Sequence, residues 1–272
     1  ISYQPYRIMS RTDEEPNLSL PERHSRILAL LQQSGSISVA QLSERFRVSE
    51  VTIRKDLSYL EQQKKLYRTH GSAILISPYI SDRHVNEKEK KNVVEKQAIG
   101  AAAAALIAQN DSIIIASGTT MAFLAREIKP EGRLTVITAA VPVTQILSQD
   151  PDIDVIQLGG ITRTSSVSVV GPFAEQMLRN FNCSKLFIGV DGVDPEFGLT
   201  TTNMLEASLN RAMIEAAQKV VVLADSSKFG RRGFSKICDL ESVDRIITDS
   251  NIQPLYLERL RERGIEVTVV DL

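Results

Sequence analysis

The sequence has no tryptophan, two cysteines and three histidines in 272 residues, and each scarcity closes off a class of chemistry. Cys183 and Cys238 lie far apart, which argues against a disulfide framework. With His24, His70 and His84 they form no zinc-ligand spacing, so neither a metal nor a cofactor is expected. Long apolar runs are missing too. The longest, Gly100 to Ala108, is nine alanine-rich residues, against roughly 18–20 for a membrane span. The first 25 residues hold Arg7, Arg11, Asp13, Glu14, Glu15 and Pro16 without an apolar stretch, which argues against a secretory signal. A cytoplasmic protein with no membrane partner is the expectation.

What remains is an ordinary globular composition, 43% hydrophobic and 24% charged, long enough for one or two domains. The net charge of -1 is slightly segregated. Residues 1–90 carry 14 Lys and Arg against 11 Asp and Glu, net +3; residues 91–272 carry 18 against 22, net -4. An excess of three is a weak pointer to a polyanion, so the placement of the basic residues matters more.

Periodicity divides the chain into four segments. Residues 1–20 are polar, with Pro5 and Pro16, and read as a flexible arm. Residues 21–76 read as three helices and a hairpin. Ile27, Leu30 and Leu31 form a stripe after Pro21 that Gly35 stops, and Val39, Leu42 and Phe46 mark a short helix from near Ser38. Ile53, Leu57 and Leu60 recur at i, i+4, i+7 on a third helix with Ser49 as its N-cap. Leu66 to Ile74 is strand-like, broken at His70-Gly71-Ser72. Residues 77–91, with Pro78 and the charge run Glu87 to Lys91, read as a linker with a solvated face, leading into a helix near Asn92–Ile107. From 92 to 272, strands at 112–116, 134–138, 153–158, 186–190, 220–224, 245–248 and 267–270 alternate with helices at 120–128, 143–149, 174–181, 206–218 and 254–263. That alternation predicts an α/β domain with a mainly parallel sheet.

Two patterns carry chemistry. A short helix, a turn at Arg47-Val48 and a capped second helix make a helix-turn-helix. On helix 49–63, Thr52 and Lys55 fall on the outer face and Arg54 near its edge. The helix start with Ser49 suits a phosphate, while Arg54 and Lys55 suit guanine edges or phosphates in the major groove. Arg68 and His70 sit on the hairpin, placed to touch backbone or minor groove. Periodicity alone also fits a small protein-interaction module.

The second pattern is a strand, Ser117-Gly118-Thr119-Thr120, then a helix. It lacks the glycine and lysine spacings of a P-loop or dinucleotide fingerprint, and alone it reads equally as a helix cap. Thr138, Gly159-Gly160, Asp191, Asp225 and Lys228 also fall at strand C-terminal ends, where open α/β sheets hold ligands, which favours a common pocket.

In sequence order, Glu22-Arg23-His24, Val48-Ser49, Thr52-Ile53-Arg54-Lys55-Asp56-Leu57 and Arg68-Thr69-His70-Gly71-Ser72-Ala73 closely resemble the winged helix-turn-helix of DeoR-family transcriptional regulators. Lys64 stands where that family has Gly or Asn, and Ser72 where it has a second Gly; both touch the helix-to-wing turn. Residues 92–272 resemble the family's effector domain through Gly118-Thr119-Thr120, Leu158-Gly159-Gly160, Phe187-Ile188-Gly189, Gly198-Leu199-Thr200, Glu206-Ala207 and Leu223-Ala224-Asp225-Ser226-Ser227-Lys228-Phe229. The resemblance implies a fold shared with phosphosugar isomerases and CoA transferases. It implies that Gly118, Thr119 and Thr120 cradle a sugar phosphate and that Asp191, Glu206 and Lys228 address hydroxyls or balance charge. Ala139 replaces the family's Asn after Thr138, removing one polar contact. The implied protein is a repressor of a sugar-metabolism operon, a dimer or tetramer on double-stranded operator DNA, released by a phosphorylated sugar and without catalytic residues. Its rival is a phosphosugar isomerase fused to a DNA-binding domain, because Asp191, Glu206 and Lys228 are acid/base types. A third class, an activator or a DNA binder with a vestigial pocket, would bind DNA without response to any metabolite.

Overall fold

Serine hydroxyls start the helices of the N-terminal unit, residues 1–76. Helix α1 (Leu20–Ser34) begins at Ser19, whose N–H and hydroxyl donate to Glu22 Oε2 at 3.0 and 2.5 Å. After strand β1 (Ser36–Ser38), helix α2 (Val39–Phe46) opens on a capping box in which Ser38 and Gln41 satisfy each other's backbone N–H groups. Arg47 takes the left-handed conformation, φ 53°, which ends α2 and turns the chain into helix α3 (Glu50–Gln62). Strands β2 (Leu66–Arg68) and β3 (Ser72–Leu75) complete an antiparallel sheet of order β1-β3-β2. This computed structural model describes residues 18–34, 36–63, 65–68, 72–75 and 85–272, so residues 1–17 of the expected arm, Gly35, Lys64 and His70-Gly71 fall outside the described residues, while Leu20 of that arm already begins α1.

The core of this unit joins Ile27 and Leu31 of α1, Leu42 and Phe46 of α2, Ile53, Leu57 and Leu60 of α3, Leu66 and Ala73. Apart from Leu66 and Ala73 on the strands, these are residues the helical periods select. The exception is Asp56, 3% exposed on the inner side of α3. It accepts from Arg23 Nε at 2.6 Å and Arg23 Nη2 at 3.0 Å, and its Oδ1 lies 3.1 Å from His24 Nε2. The Asp56 carboxylate raises the Arg23 pKa above its ordinary value. The fork is bidentate, so it fixes the angle of α3 on α1 as well as contributing attraction.

In the second unit, residues 77–272, the chain runs α4 (Val85–Glu89), α5 (Val93–Ala104), β4 (Ser112–Ile115), α6 (Thr119–Glu127), β5 (Leu134–Thr138), α7 (Val141–Leu147) and β6 (Ile153–Gln157). It continues through β7 (Ile161–Arg163), β8 (Ser168–Val170), α8 (Pro172–Leu178), β9 (Lys185–Gly189), β10 (Gly192–Asp194), β11 (Gly198–Thr201) and α9 (Met204–Glu215). Last come β12 (Val220–Leu223), β13 (Ser235–Cys238), β14 (Arg245–Asp249), α10 (Pro254–Glu262) and β15 (Glu266–Val270). Seven strands form one sheet in the order β15-β14-β12-β9-β4-β5-β6, and every pair in it is parallel. Its central strands are buried throughout, as Ile113-Ile114-Ile115 and Val220-Val221-Val222-Leu223 require when helices cover both faces.

The seven expected strands are these seven, with ends agreeing to within one residue. The β7–β8 ribbon and the antiparallel sheet β10-β11-β13 were not expected, because three- and four-residue strands leave too little alternation to detect. The linker reading of 77–91 needs correcting in part. Helix α4 packs on α6, and Lys88 of the supposedly solvated run forms an ion pair within this unit. Burial pushes the Cys238 thiol up to about 11, so it is no ready nucleophile. Among the described residues, no helix is long and apolar enough to cross a membrane and no three His, Cys, Asp or Glu could hold a metal ion.

Candidate functional site

Two surfaces carry chemistry, one in each unit. With Ile53, Asp56, Leu57 and Leu60 buried, α3 turns Val51, Lys55, Ser58 and Gln62 outward, with Arg54 on one flank and Tyr59 on the other. A shallow groove of about 370 Å³ runs along these side chains. Arg54 Nη2 meets Glu50 Oε2 at 2.7 Å, but both side chains are about half exposed, so the pair holds Arg54 only weakly. Ser49 Oγ accepts from Thr52 N at 3.2 Å and lies 2.9 Å from Thr52 Oγ1. Those two hydroxyls therefore build the cap, and Thr52 is half-buried rather than on the outer face. The N–H groups of Glu50 and Val51 have no acceptor among the described residues and remain for an anion. Arg68 ties the hairpin to α3: its guanidinium donates to Ser58 Oγ, and its backbone N–H to Glu61 Oε1 at 3.0 Å. His70 lies outside the described residues.

In the second unit the parallel sheet creates a crevice. From β4 the chain steps outward through β5 and β6, then returns to β9 on the other side of β4 and steps away through β12, β14 and β15. The order reverses between β4 and β9, and at such a switch point the loops leave in opposite directions and open a cleft. The loop after β4 is Ala116-Ser117-Gly118, and the residues after β9 are Val190-Asp191. Gly118 has φ 136°, a conformation that favours glycine, while a Cβ there would meet nothing closer than 4.0 Å. Its backbone aims the start of α6 at the crevice. Thr119 and Thr120 are each 8% exposed, and neither hydroxyl has a hydrogen-bond partner among the described residues.

The charges around this loop are interlocked. Glu206, in the first turn of α9, accepts from Ser117 Oγ at 3.2 Å and pairs with Arg163 Nη1 at 2.9 Å. Burial, aided by the neighbouring Asp191, pushes its carboxyl above the usual range. Asp191 pairs with Lys88 Nζ at 2.8 Å and accepts from Thr201 and Thr202 hydroxyls at 3.2 and 3.3 Å. Burial alone would raise its pKa, but Lys88 and Lys228 outweigh that and hold it below the usual range. The half-buried Lys228 ammonium has no hydrogen-bond or ion-pair partner among the described residues.

The structure thus brings Gly118, Thr119, Thr120, Asp191, Glu206 and Lys228 to one end of the sheet. Thr138, Gly159 and Gly160 have other work. Thr138, fully buried, donates to Ile115 O at 2.7 Å and accepts from Ala140 N at 3.1 Å, so its hydroxyl is engaged in joining β4 to the turn after β5. Gly159 N–H faces Met177 Sδ, and a Cβ on Gly160, φ 151°, would fall 2.8 Å from Val170 O. Close packing against β8 accounts for Gly160, whereas a Cβ on the exposed Gly159 would meet only Met177 Sδ, at 4.0 Å.

Residues 23–79 match the DeoR-like helix-turn-helix domain, and residues 91–250 match the DeoR C-terminal sensor domain. The chain belongs to the DeoR family of transcriptional regulators. It is a DNA-binding regulator with a sensor domain. It is 39% identical to the HTH-type transcriptional regulator YulB of Bacillus subtilis (strain 168), across 92% of this chain and 97% of that one. The lactose phosphotransferase system repressor of Lactococcus lactis subsp. lactis is 33% identical across 88% and 95%. Among solved structures, the sorbitol operon regulator SorC of Klebsiella pneumoniae superposes with a TM-score of 0.40 at 11% identity, covering 91% of this chain and 96% of that one. That score is too low to add to the assignment.

Within this DeoR-family chain, Lys88, Asn92, Lys96 and Arg163 escaped the sequence reading. Lys88 lies in a charge run that looks solvated, Lys96 is buried on α5, and Arg163 lies on a three-residue strand. Nothing local marks any of them.

Proposed function

We propose that this regulator represses a sugar-metabolism operon by laying α3 in the major groove of a double-stranded operator, as a dimer or tetramer, and that a phosphorylated sugar in the crevice releases it. The observation that carries the ligand class is the unpartnered trio: the Thr119 and Thr120 hydroxyls at the start of α6, and the Lys228 ammonium beside Asp191. Donors and positive charge without acceptors at a sheet switch point suit a phosphate, and the remaining polar groups suit sugar hydroxyls. One relative, the lactose phosphotransferase system repressor, is named for a sugar system, which supports the operon class. A thermal-shift screen against sugars and their phosphates tests the ligand class, since a bound ligand stabilises by RT ln(1 + [L]/Kd). Stabilisation by unphosphorylated sugars alone would overturn it.

Arg54 and Lys55 are proposed to read bases or phosphates. Arg54→Ala and Lys55→Ala should each weaken operator binding by about 1–3 kcal/mol where they reach bases. A residue touching only phosphate should instead lower affinity for all sequences and flatten the salt dependence. Fluorescence anisotropy over a salt series separates the two, and wild-type affinity in a folded double variant would remove α3 from the interface.

The carboxyl of Glu206, raised by burial, is the feature that favours an isomerase, because general acid/base catalysis uses carboxyl groups held above their ordinary range. Both of its oxygens are engaged, by Ser117 and Arg163, which suits positioning better. Purified protein is expected to show no aldose–ketose phosphate interconversion that scales with its concentration. Turnover abolished by Glu206→Gln would put the isomerase first.

A further inference from the structure

The segment from α4 into α5 lies against two carboxylates at the end of the sheet. Lys88 Nζ pairs with Asp191, which follows β9, and Asn92 Nδ2 donates to Asp225 Oδ1, after β12, at 2.9 Å. Between them, the buried Lys96 Nζ donates to the carbonyls of Lys88 and Lys91, both at 2.5 Å. Val85 N–H, at the other end, donates to Ser165 O at 2.7 Å. This strap is held at four points, and only the Lys88–Asp191 contact joins two opposite charges.

The pair is built so that Lys88 can leave it. Asp191 also accepts from Thr201 and Thr202 and feels Lys228, so losing Lys88 does not orphan the carboxylate. Lys88 is partly exposed, its side chain 27% accessible, and Asp191 accounts for one of an ammonium's three donors. A phosphate monoester near pH 7 carries up to twice the charge of a carboxylate and three acceptor oxygens. Placed beside Thr119 and Lys228, it competes with Asp191 for Lys88 and wins on charge.

We propose that Lys88 is the switched contact of the sensor: paired to Asp191 while the crevice is empty, and transferred to the ligand's phosphate when it fills, so that α4 reports occupancy. This rests on the phosphate-monoester reading given above. The consequence is a pair of opposite effects. Removing Lys88 removes a ligand of the anion, whereas neutralising Asp191 removes its competitor and a repelling charge.

The test uses the full chain titrated with glucose 6-phosphate and with inorganic phosphate, against sodium chloride of matched ionic strength. Lys88→Met should weaken phosphate binding about tenfold or more, the loss of one charge-assisted hydrogen bond. Asp191→Asn should tighten it by about threefold, from the removed like charge. Lys88→Gln serves if the methionine variant folds poorly, and Thr119→Asp marks whether the crevice is the site at all. Hydrogen exchange at amides 85–92 should change with saturating ligand in wild type and stay constant in Lys88→Met. If Thr119→Asp abolishes binding while both Lys88 and Asp191 variants weaken it alike, or neither alters it, the switch is wrong and the phosphate site stands. If amides 85–92 ignore the ligand, the switch is also wrong. If neither phosphate compound binds wild type, the ligand class falls and the switch with it.

Discussion

Replacing Asp56 by alanine should destabilise the N-terminal unit by about 3–5 kcal/mol, the range for stripping one partner from a buried ion pair. The Arg23 guanidinium would be left inside with its side chain 10% exposed, and His24 would lose its nearest acceptor. A unit of this size has roughly 3–5 kcal/mol from its core to lose, so the variant should unfold there near room temperature. The second unit has its own core of Ile99, Ile113, Leu124, Val136, Phe187 and Leu223 and should be unaffected. Urea unfolding followed by circular dichroism should therefore lose an early transition and keep a late one. Asp56→Asn, which keeps one acceptor, should fall between the two. A shift below 1 kcal/mol for Asp56→Ala would mean that the Arg23 fork contributes orientation and little stability. Operator binding should be lost with this fold, although Asp56 is itself buried.

Thr119→Asp should separate DNA binding from sensing. It puts a carboxylate where the proposed phosphate sits, beside a hydroxyl and the start of α6, both of which suit an anion of their own but repel none in the native chain. Ligand and carboxylate then repel at close range in a site that is mostly buried. An effector moves the regulator only by its differential affinity for the two states, and couplings of about 1–3 kcal/mol are typical. Wild type should thus lose about 5–150-fold in operator affinity with saturating ligand, and Thr119→Asp should lose none. Lys228→Met removes attraction without adding repulsion and should blunt the response more mildly. The measurement is operator anisotropy with and without the compound that the thermal screen selects. A wild-type response from Thr119→Asp would place the phosphate elsewhere.

Where sequence spoke clearly, it did so through local physics. Ile53, Leu57 and Leu60 recur at helical spacing because a helix repeats every 3.6 residues, and Ser49 caps because a free hydroxyl can accept a helix-start N–H. The seven parallel strands stand out because burial on both faces demands uninterrupted Val, Ile and Leu. Gly118 holds a φ that few other residues accept, a property its identity as glycine alone allows. The loops after strands were legible as a group, but not which of them share a crevice.

Sequence by itself determined the main strands, the helices other than α4, the exposed placement of Arg54 and Lys55 on α3, and the family. Only the tertiary structure decided that β4 and β9 are neighbours, which puts Ser117 to Thr120 beside Asp191 some seventy residues away in sequence. It likewise took Thr138 and Gly160 into hydrogen bonds and packing of their own, and brought Lys88 and Arg163 to Asp191 and Glu206. The reason is one of range. Caps, turns and periods are set by contacts three or four residues apart and leave a local pattern. An ion pair between residues 88 and 191 leaves none, because a lysine in a charge run looks the same whether it faces water or a buried carboxylate.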